Sequence, residues 1–371
     1  MSIPINRYLS LDIFRGLTIA LMIVVNTPGT WDAIYAPLDH AKWHGCTPTD
    51  LVFPSFMFAI GVSMAFSFAK FGYRFSSELV TKIIKRVVVL YLIYFLMCFF
   101  PFYDFEPSKF RILGVLPRLA FSYGIAAVVV LMVSERWLPY VIGAVLLIYW
   151  GIMYYFGDAA NPYGMTTNAG YYLDLAVLGD KHMWHGEGVA FDPEGILGTL
   201  SAVCTVLLGY LTGRLIRTTQ NPISVINRLL LFGAASIFVA LLWNNVFPIN
   251  KKLWTSSYVL YVAGIDAIVI SALIWLVDLQ KNTKWAWPFR VMGSNALAAY
   301  VISEMLVIVM ISIKWPLADG TKMNVYQWIY ENVFATWATP VNASLAFALT
   351  FLGLNYLILW GMYRRGWFWK V

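Results

Sequence analysis

Charged residues are scarce in this sequence. Asp, Glu, Lys and Arg make up 12% of its 371 residues, whereas 60% of the residues are hydrophobic. Because about a quarter of the residues in a soluble globular domain are charged, this composition excludes an ordinary soluble protein. The net charge is +7, but basic residues in so apolar a chain mainly set membrane topology. We therefore predict a membrane-lipid environment and no nucleic-acid partner.

Cysteine is also rare. The three cysteines, Cys46, Cys98 and Cys204, are odd in number and far apart in the sequence, which excludes a disulfide framework and a CxxC metal site. The sequence also lacks a Walker loop, a GxGxxG motif and a GxSxG motif. A nucleotide-like donor would therefore have to be held by scattered basic residues and helix ends, because no glycine-rich loop is present to bind it.

Long apolar runs are abundant, and they predict an all-α polytopic integral membrane protein. A helix needs roughly 20 mostly apolar residues to cross a bilayer, and helices satisfy their own backbone hydrogen bonds in lipid. The first run carries Asp12 and Arg15 at its start and lacks a small-residue cleavage pattern, so we interpret it as a retained helix and not a signal peptide. We predict one integral domain covering 1–371 with about ten spans: 11–29, 50–69, 83–100, 112–133, 138–157, 195–213, 226–243, 257–277, 291–313 and 342–363.

Ten spans place both termini on the same side of the membrane, and the basic residues indicate which side. The termini and the loops after the even-numbered spans hold 17 of the 26 Lys and Arg residues. By the positive-inside rule this side is cytoplasmic. The loops at about 30–49 and 158–194 then lie on the periplasmic side. These two loops contain all four histidines of the chain and many of its acids.

Polar residues within the predicted spans are a further feature. Asp12 and Arg15 are three residues apart and can pair on one helix face, which Asn26 shares about 16 Å further along the helix. Polar groups at this depth usually face a cavity or the interior of the bundle. The pattern leaves open a polar passage or a set of structural ion pairs, such as Arg118 with Asp50 or Glu304. The charged residues in later spans are Asp50, Arg118, Asp266 and Glu304.

The histidines occur as two pairs, in "LDHAKWHG" and "GDKHMWHGEG". Four zinc ligands are one interpretation, although neither pair is predicted to lie in a helix and no HExxH context is present. Ordinary histidines of a membrane-surface loop are a second interpretation, which suits His44 and His185 best. A catalytic base is the third, because histidine titrates near neutral pH and commonly transfers protons. Spacing alone leaves the three open.

Seven segments, in order along the chain, resemble heparan-α-glucosaminide N-acetyltransferase and its bacterial relatives. They are "RYLSLDIFRGLTIALMIVVNTPG", "LDHAKWHGCTPTDLVFPSFMFAIGVSM", "RILGVLPRL", "FDPEGILGTLSAV", "NKKLWTSSYVLY", "GSNALAAYV" and "FWKV". The segments extend from residue 7 to residue 371. The lysosomal member has an extra luminal region and span before them, so we expect this chain to be the shorter bacterial form, in the inner membrane.

The resemblance implies an acyltransferase. In this family acetyl-CoA provides the acetyl group from the cytoplasm, and the amine of a terminal glucosamine accepts it on the far side. The family's active histidine falls on His40, its "VN" asparagine on Asn26 and the acid of "DLVFP" on Asp50. We expect His40 to act as a general base, or as a nucleophile through an acetyl-imidazole, and Asn26 to stabilise the oxyanion. Five residues of the second periplasmic loop are expected to bind the acceptor sugar: Asp174, Asp180, His182, Asp192 and Glu194.

Binding of CoA requires cations, because guanidinium and ammonium groups form charge-assisted bonds to phosphate. The expected contacts at the cytoplasmic end are Arg15, Lys85, Arg86, Arg214 and Lys370. No metal is expected, and the dimer of the lysosomal relative implies a homodimer. An amino-sugar transporter, with His40 and buried acids relaying protons, is the alternative function. Transporters often contain repeats with broken helices, and the sequence shows no such repeat.

Overall fold

The computed structural model describes residues 8–101, 106–317 and 322–369. In these ranges the chain is mainly helical, which confirms the all-α polytopic fold. The helices are α1 (Leu9–Asn26), α2 (Pro48–Ala69), α3 (Ser77–Phe99), α4 (Val115–Met132), α5 (Leu138–Phe156), α6 (Ala169–Val177), α7 (Ile196–Thr218), α8 (Pro222–Trp243), α9 (Ser256–Leu273), α10 (Trp287–Ser294), α11 (Ala296–Ser312), α12 (Val325–Ile329) and α13 (Pro340–Arg364).

Shorter elements connect these helices. π-helical turns extend α9 through Ile274–Leu279 and α12 through Tyr330–Phe334. Strands β1 (Lys314–Pro316) and β2 (Lys322–Asn324) pair antiparallel between α11 and α12, with Trp315 opposite Met323. Four 3₁₀ turns lie in the loops, at Ala36–Leu38, Pro107–Lys109, Glu135–Trp137 and Asp180–His182.

Eight helices in the described part of the chain are long and apolar enough to cross a bilayer, which agrees with eight of the ten predicted spans. The predicted span 83–100 lies in α3, whose N-terminal half carries Lys82, Lys85 and Arg86. Only the residues after Arg86 are continuously uncharged, so the apolar part of α3 is shorter than the other spans. The eight are α1, α2, α4, α5, α7, α8, α9 and α13.

The predicted span 291–313 is wrong as a single helix. The chain forms α10 and α11 there, and the two helices are bent by 85° at Asn295. The Asn295 side chain donates a hydrogen bond to the Trp367 carbonyl oxygen at 2.7 Å, and its oxygen accepts one from the Trp369 N–H at 2.9 Å. The bend is therefore held by the C-terminal segment, which is distant in sequence and gives no local signal to a hydropathy pattern.

Helices α5, α8 and α13 lie on the outside of the bundle. They expose large apolar side chains, including Leu147 and Ile148 of α5, Leu231 and Phe238 of α8, and Leu357 of α13. In water such a surface would be costly, whereas in a bilayer it faces lipid tails of the same character. Helices α1, α2, α7 and α9 are much more buried and form the centre of the bundle.

The two central helix pairs approach each other closely at glycines. A Cβ on Gly16 of α1 would overlap the Phe289 carbonyl of α10, and a Cβ on Gly293 would overlap the Asp12 carbonyl. On α7, Gly209 and Gly213 face the backbone of α2 in the same way. Small residues at a spacing of four let helix backbones meet in membranes. This packing fixes α1 and α2, which carry Asn26 and Asp50.

The helices alternate in direction, so one end of the bundle collects the loops after α1, α3, α5 and α8. Two of these loops are joined directly: Gly45 forms an isolated parallel bridge with Asn250, and the Gly45 N–H donates to the Ile249 carbonyl at 2.7 Å. In the other long loop, the Phe191 N–H donates to the Trp184 carbonyl at 2.9 Å. These contacts bring segments more than 200 residues apart to one site.

Candidate active site

A cavity of about 310 Å³ lies at this end of the bundle and contains the three residues predicted to be catalytic, Asn26, His40 and Asp50. Three tryptophans, Trp31, Trp184 and Trp254, also contribute to its wall. Apolar and aromatic walls with a few charged groups are typical of small-molecule sites. The polar lining residues are Asn26, His40, Thr49, Asp50, Arg111, Glu187, Glu194, Lys251 and Lys252.

His40 and Asp50 form a hydrogen-bonded pair. The Nδ1 atom of His40 lies 2.7 Å from Oδ1 of Asp50. A carboxylate only accepts hydrogen bonds, so in this contact Nδ1 carries a proton, and Nε2 is the ring nitrogen that can take part in proton transfer. The pair places a histidine that can accept a proton on the cavity wall, with a carboxylate fixing its orientation.

Asp50 is held by the start of α2. Thr47 is the N-cap residue, and Pro48 follows at the first helical position, where its fixed backbone angle suits a helix start. The Thr47 N–H donates to Oδ2 of Asp50 at 3.0 Å, and the Ala41 N–H donates to the same oxygen at 3.0 Å. One carboxylate thus caps α2 and fixes the histidine loop. The cap signal, Thr–Pro–Thr–Asp, is legible in the sequence.

Lys251 completes this cluster. Its Nζ atom lies 3.2 Å from His40 Nδ1 and 3.7 Å from Asp50 Oδ1. Burial lowers the pKa of Lys251, against the opposing attraction of Asp50 and Glu194. The neighbouring Cys46 is no competing nucleophile, since burial, together with the negative charge of Asp50, raises the pKa of its thiol to about 12.

Asn26 lies at the end of α1, where Pro28 prevents the helix from continuing. Its side-chain amide lies close to the carboxyl group of Glu304 on α11. An amide nitrogen has two N–H groups, so one can face Glu304 and a second remains for a ligand in the cavity. The sequence stripe that joined Asp12, Arg15 and Asn26 on one face is consistent with this position, and the structure adds Glu304 as its partner.

Comparison with known proteins agrees with the quoted motifs. The model of the heparan-α-glucosaminide N-acetyltransferase catalytic family matches residues 7–177. The heparan-α-glucosaminide N-acetyltransferases of Mus musculus and Homo sapiens are 28% and 29% identical to the chain, over 99% and 98% of its length. The chain is therefore similar to this family, and the match to the family model includes the segments with Asn26, His40 and Asp50. The chain spans 61% and 60% of the lengths of the two relatives.

The region matched by the N-acetyltransferase family model contains Asn26, His40 and Asp50, together with Arg111. Lys251 and Glu304 lie beyond it. Lys251 lines the same cavity, and Glu304 lies close to Asn26. Sequence reasoning missed Lys251 as a site residue, although its motif, "NKKLWTSSYVLY", was one of the segments that resemble the N-acetyltransferase family. The sequence did offer one signal. Lys251 is a basic residue in a loop predicted to be periplasmic, where the positive-inside rule expects few basic residues.

Arg111 is the second cavity residue that sequence reasoning missed. It donates two hydrogen bonds to Asp192, from Nε at 3.0 Å and from Nη2 at 2.7 Å, and a third to Glu194 at 2.6 Å. Burial raises the pKa of Asp192 despite these bonds. Glu194 is also buried, but the positive charges of Arg111 and Arg118 lower its pKa. Asp192 and Glu194 are two of the five predicted acceptor ligands. Glu194 lines the cavity, and Asp192 supports Arg111 behind it.

The other three predicted acceptor ligands lie away from the lining of this cavity. Oδ1 of Asp174 accepts a hydrogen bond from the Ile196 N–H at 2.8 Å, so Asp174 caps α7. Asp180 is exposed and pairs with His185 at 3.4 Å, and His182 contacts the Phe110 carbonyl oxygen through Nδ1 at 2.7 Å. In the described ranges, His, Cys, Asp and Glu side chains form no cluster suited to a metal ion.

The predicted CoA contacts lie toward the opposite end of the bundle. Arg15 pairs with Asp12 at 2.5 Å, as the sequence predicted. The Arg86 guanidinium lies 4.5 Å from the centre of the Tyr123 ring, and Arg214 pairs with Glu135 at 2.5 Å. Lys85 is exposed on α3. Lys370 lies outside the described residues.

Arg118 forms neither of the ion pairs that the sequence left open as one alternative, with Asp50 or with Glu304, in the described part of the chain. Arg118 donates from Nη2 to the Gly195 carbonyl at 2.9 Å, and its guanidinium lies 5.0 Å from the centre of the Trp254 ring. Asp50 and Glu304 instead contact His40 and Asn26. The partners of Arg118 are thus a carbonyl and an aromatic face. The sequence could not show them, because Gly195 comes from a loop whose position depends on the whole fold.

Proposed function

We propose that this protein transfers an acetyl group from cytoplasmic acetyl-CoA to the amine of a glucosamine-type sugar on the periplasmic side of the membrane. The observation that carries the proposal is the 2.7 Å contact of His40 with Asp50 in a cavity that also contains Asn26. Similarity to the N-acetyltransferase family supports the reaction class. The cavity supports the substrate class, since it combines tryptophan faces with carboxylates.

In this mechanism His40 acts as the general base. A sugar ammonium has no lone pair, so it must lose a proton before it can attack the thioester. Nε2 of His40 accepts that proton, and Asp50 stabilises the resulting imidazolium through Nδ1. Such proton transfer typically contributes about 10²–10⁴-fold to the rate.

The bond changes are those of acyl transfer. The amine nitrogen forms a bond to the acetyl carbon, and the carbonyl oxygen becomes an oxyanion that accepts a hydrogen bond from Asn26. The carbon–sulfur bond then breaks, and the CoA thiolate takes the proton held by His40. The attacking nitrogen loses its second proton to solvent and becomes a neutral amide, so each turnover releases one proton. The product is an N-acetylated sugar, and free CoA returns to the cytoplasm. We favour direct transfer, since substrates arriving from opposite sides can bind together.

The donor would enter from the end of the bundle opposite the histidines. Arg15 and Asn26 are eleven residues apart on α1, which is about 16 Å along a helix. An extended pantetheine arm spans a distance of this kind, with its phosphates near the arginines and its thioester near Asn26. Arg15, Lys85, Arg86, Arg214 and Lys370 are the cations proposed for the phosphates. We also propose that the protein is a homodimer of a bacterial inner membrane with cytoplasmic termini.

Release of CoA from acetyl-CoA in the presence of glucosamine tests the proposal. The purified protein in detergent is expected to release CoA, and His40→Ala to slow release by at least about 10²-fold. His44→Ala is the matched control, because its side chain contacts Asn250 at 3.3 Å on the outside of the same loop. We expect His44→Ala to retain the wild-type rate. Equal rates for wild type and His40→Ala would contradict the proposal.

Two other experimental results would change the proposed mechanism or function. A burst of CoA without glucosamine, abolished by His40→Ala, would indicate an acetyl-imidazole intermediate. If the protein neither binds acetyl-CoA nor releases CoA, then amino-sugar uptake into reconstituted vesicles without acetyl-CoA would identify a transporter.

A further inference from the structure

Lys251 is the one charged group besides Asp50 that touches the His40 imidazole in the described part of the chain. Its Nζ atom lies 3.2 Å from Nδ1, and the same nitrogen of His40 lies 2.7 Å from the Asp50 carboxylate. The imidazole therefore stands between an anion and a cation. An adjacent carboxylate favours the charged imidazolium, whereas an adjacent ammonium favours the neutral ring. Only the neutral ring can accept a proton from a substrate.

The position of Lys251 is built into the fold. Asn250 precedes it and pairs with Gly45 of the histidine loop, and the Gly45 N–H donates to the Ile249 carbonyl at 2.7 Å. Lys252 follows it and donates from Nζ to the Lys42 carbonyl oxygen at 3.1 Å. The two loops are thus joined on both sides of Lys251. A lysine in an unattached loop would lack these contacts. The fold therefore holds Lys251 at this position.

The other charged groups on the cavity are engaged with one another. Arg111 binds Asp192 and Glu194, and Lys252 pairs with Glu187 at 2.8 Å. Glu304 of α11 lies close to Asn26, outside the lining of the cavity. On the histidine's own segment, the Asp39 carboxylate accepts from the His40 backbone N–H at 2.7 Å. Asp50 and Lys251 are therefore the groups that set the charge of the ring.

We propose that Lys251 is a positioning residue that keeps His40 neutral, so that the histidine can act as a base although a carboxylate orients it. The inference rests on the proposed function only for its kinetic consequence, because the charge state of His40 is a property of the free protein. Asp50 fixes the ring and its tautomer, and Lys251 offsets the charge that Asp50 brings. Neither residue alone would give an oriented and unprotonated base.

The test is the pH dependence of His40 in variants of Lys251. Diethyl pyrocarbonate reacts with neutral imidazole, and mass spectrometry of the His40 peptide reports the reacted fraction without any need for turnover. Lys251→Met removes the charge and keeps most of the stem. We expect its midpoint for His40 modification to move to higher pH by about one unit or more. Lys251→Arg should restore the wild-type midpoint. Lys42→Met is the matched control, because Lys42 is an exposed lysine of the histidine loop and only its backbone carbonyl takes part in joining the loops. Its midpoint should not move.

The acid limb of the kcat/KM profile for CoA release gives a second reading. It should shift upward in Lys251→Met, with the rate recovering at high pH, which a merely structural loss would not produce. A midpoint for modification that is the same in wild type and a folded Lys251→Met overturns the inference. If the wild-type protein lacks transferase activity while the modification midpoint of His40 still differs between wild type and Lys251→Met as expected, that result would overturn the proposed function and leave the role of Lys251 standing. If Lys251→Met does not fold, Lys251→Gln provides the same comparison.

Discussion

The side-chain amide of Asn26, on the cavity wall, lies close to the carboxyl group of Glu304. The contact joins the end of α1 to the middle of α11, two helices that the chain separates by almost 270 residues. Because a carboxylate attracts the N–H groups of an amide, Glu304 favours one orientation of the Asn26 side chain. We infer that Glu304 positions Asn26 for the oxyanion.

This relationship predicts unequal effects of substitution. Asn26→Ala removes the donor itself and should lower kcat by about 10²–10³-fold, as the loss of an oxyanion-hole donor does. Glu304→Gln keeps an accepting oxygen and should lower kcat much less than Glu304→Ala. Steady-state CoA release would measure all three. A Glu304→Ala rate equal to that of wild type would show that Asn26 needs no such support.

Asp50→Asn tests the carboxylate that orients the base. The amide lacks the charge that stabilises the imidazolium, so we expect kcat to fall by about 10²-fold or more. Asp50 also caps α2, and loss of a cap costs about 1 kcal/mol of stability. Asp39→Asn is the control, because the Asp39 carboxylate accepts from the backbone N–H of His40 and does not touch the imidazole in the described structure. Its rate should remain within a few-fold of wild type, and an equal loss in both variants would contradict the orienting role.

Asp174 predicts a pH dependence of stability. Burial raises its pKa to about 7, although the Ile196 N–H donates to it. The folded state therefore holds this proton more tightly than the unfolded chain, so the stabilisation is complete at low pH and is lost as the pH rises from about 4 to 7. The full loss is up to about 4 kcal/mol. Asp174→Asn keeps the accepting oxygen and should unfold at a higher temperature than wild type at pH 8.

Thermal unfolding in detergent from pH 5 to pH 8 would measure this difference. Asp158→Asn is the control, because Asp158 is exposed and its carboxylate caps the Ala160 N–H in a loop. Its unfolding temperature should follow that of wild type at each pH. A difference between wild type and Asp174→Asn that does not grow with pH would disprove the assignment.

The contact of α2 with α7 predicts a packing effect. A Cβ on Gly209 would overlap the Phe58 carbonyl, so Gly209→Ala must push the two helices apart. Overpacking of this kind typically costs about 1–3 kcal/mol, and because α2 carries Asp50, CoA release should fall too. Gly353→Ala is the control, since a Cβ there meets open space on α13. Thermal unfolding should separate the two variants, and equal unfolding temperatures would show that the helices adjust without cost.

The sequence predicted the spans well, because hydropathy depends on the residues of each helix alone. It also placed Asn26, His40 and Asp50 through local motifs, and these three meet in one cavity. The sequence could not predict contacts that depend on the whole fold. The partner of Arg118 is a loop carbonyl, the partner of Asn26 is Glu304, and Lys251 reaches His40 from a loop over 200 residues away. The bend at Asn295 was missed for the same reason.

The bend at Asn295 also links the cavity to a distant part of the chain. Its hydrogen bonds run to Trp367 and Trp369, which are 72 and 74 residues further along the sequence. These bonds hold the direction of α11, and α11 carries Glu304 beside Asn26. A ligand or a substitution at Trp367 or Trp369 would therefore act on Asn26 without touching the cavity.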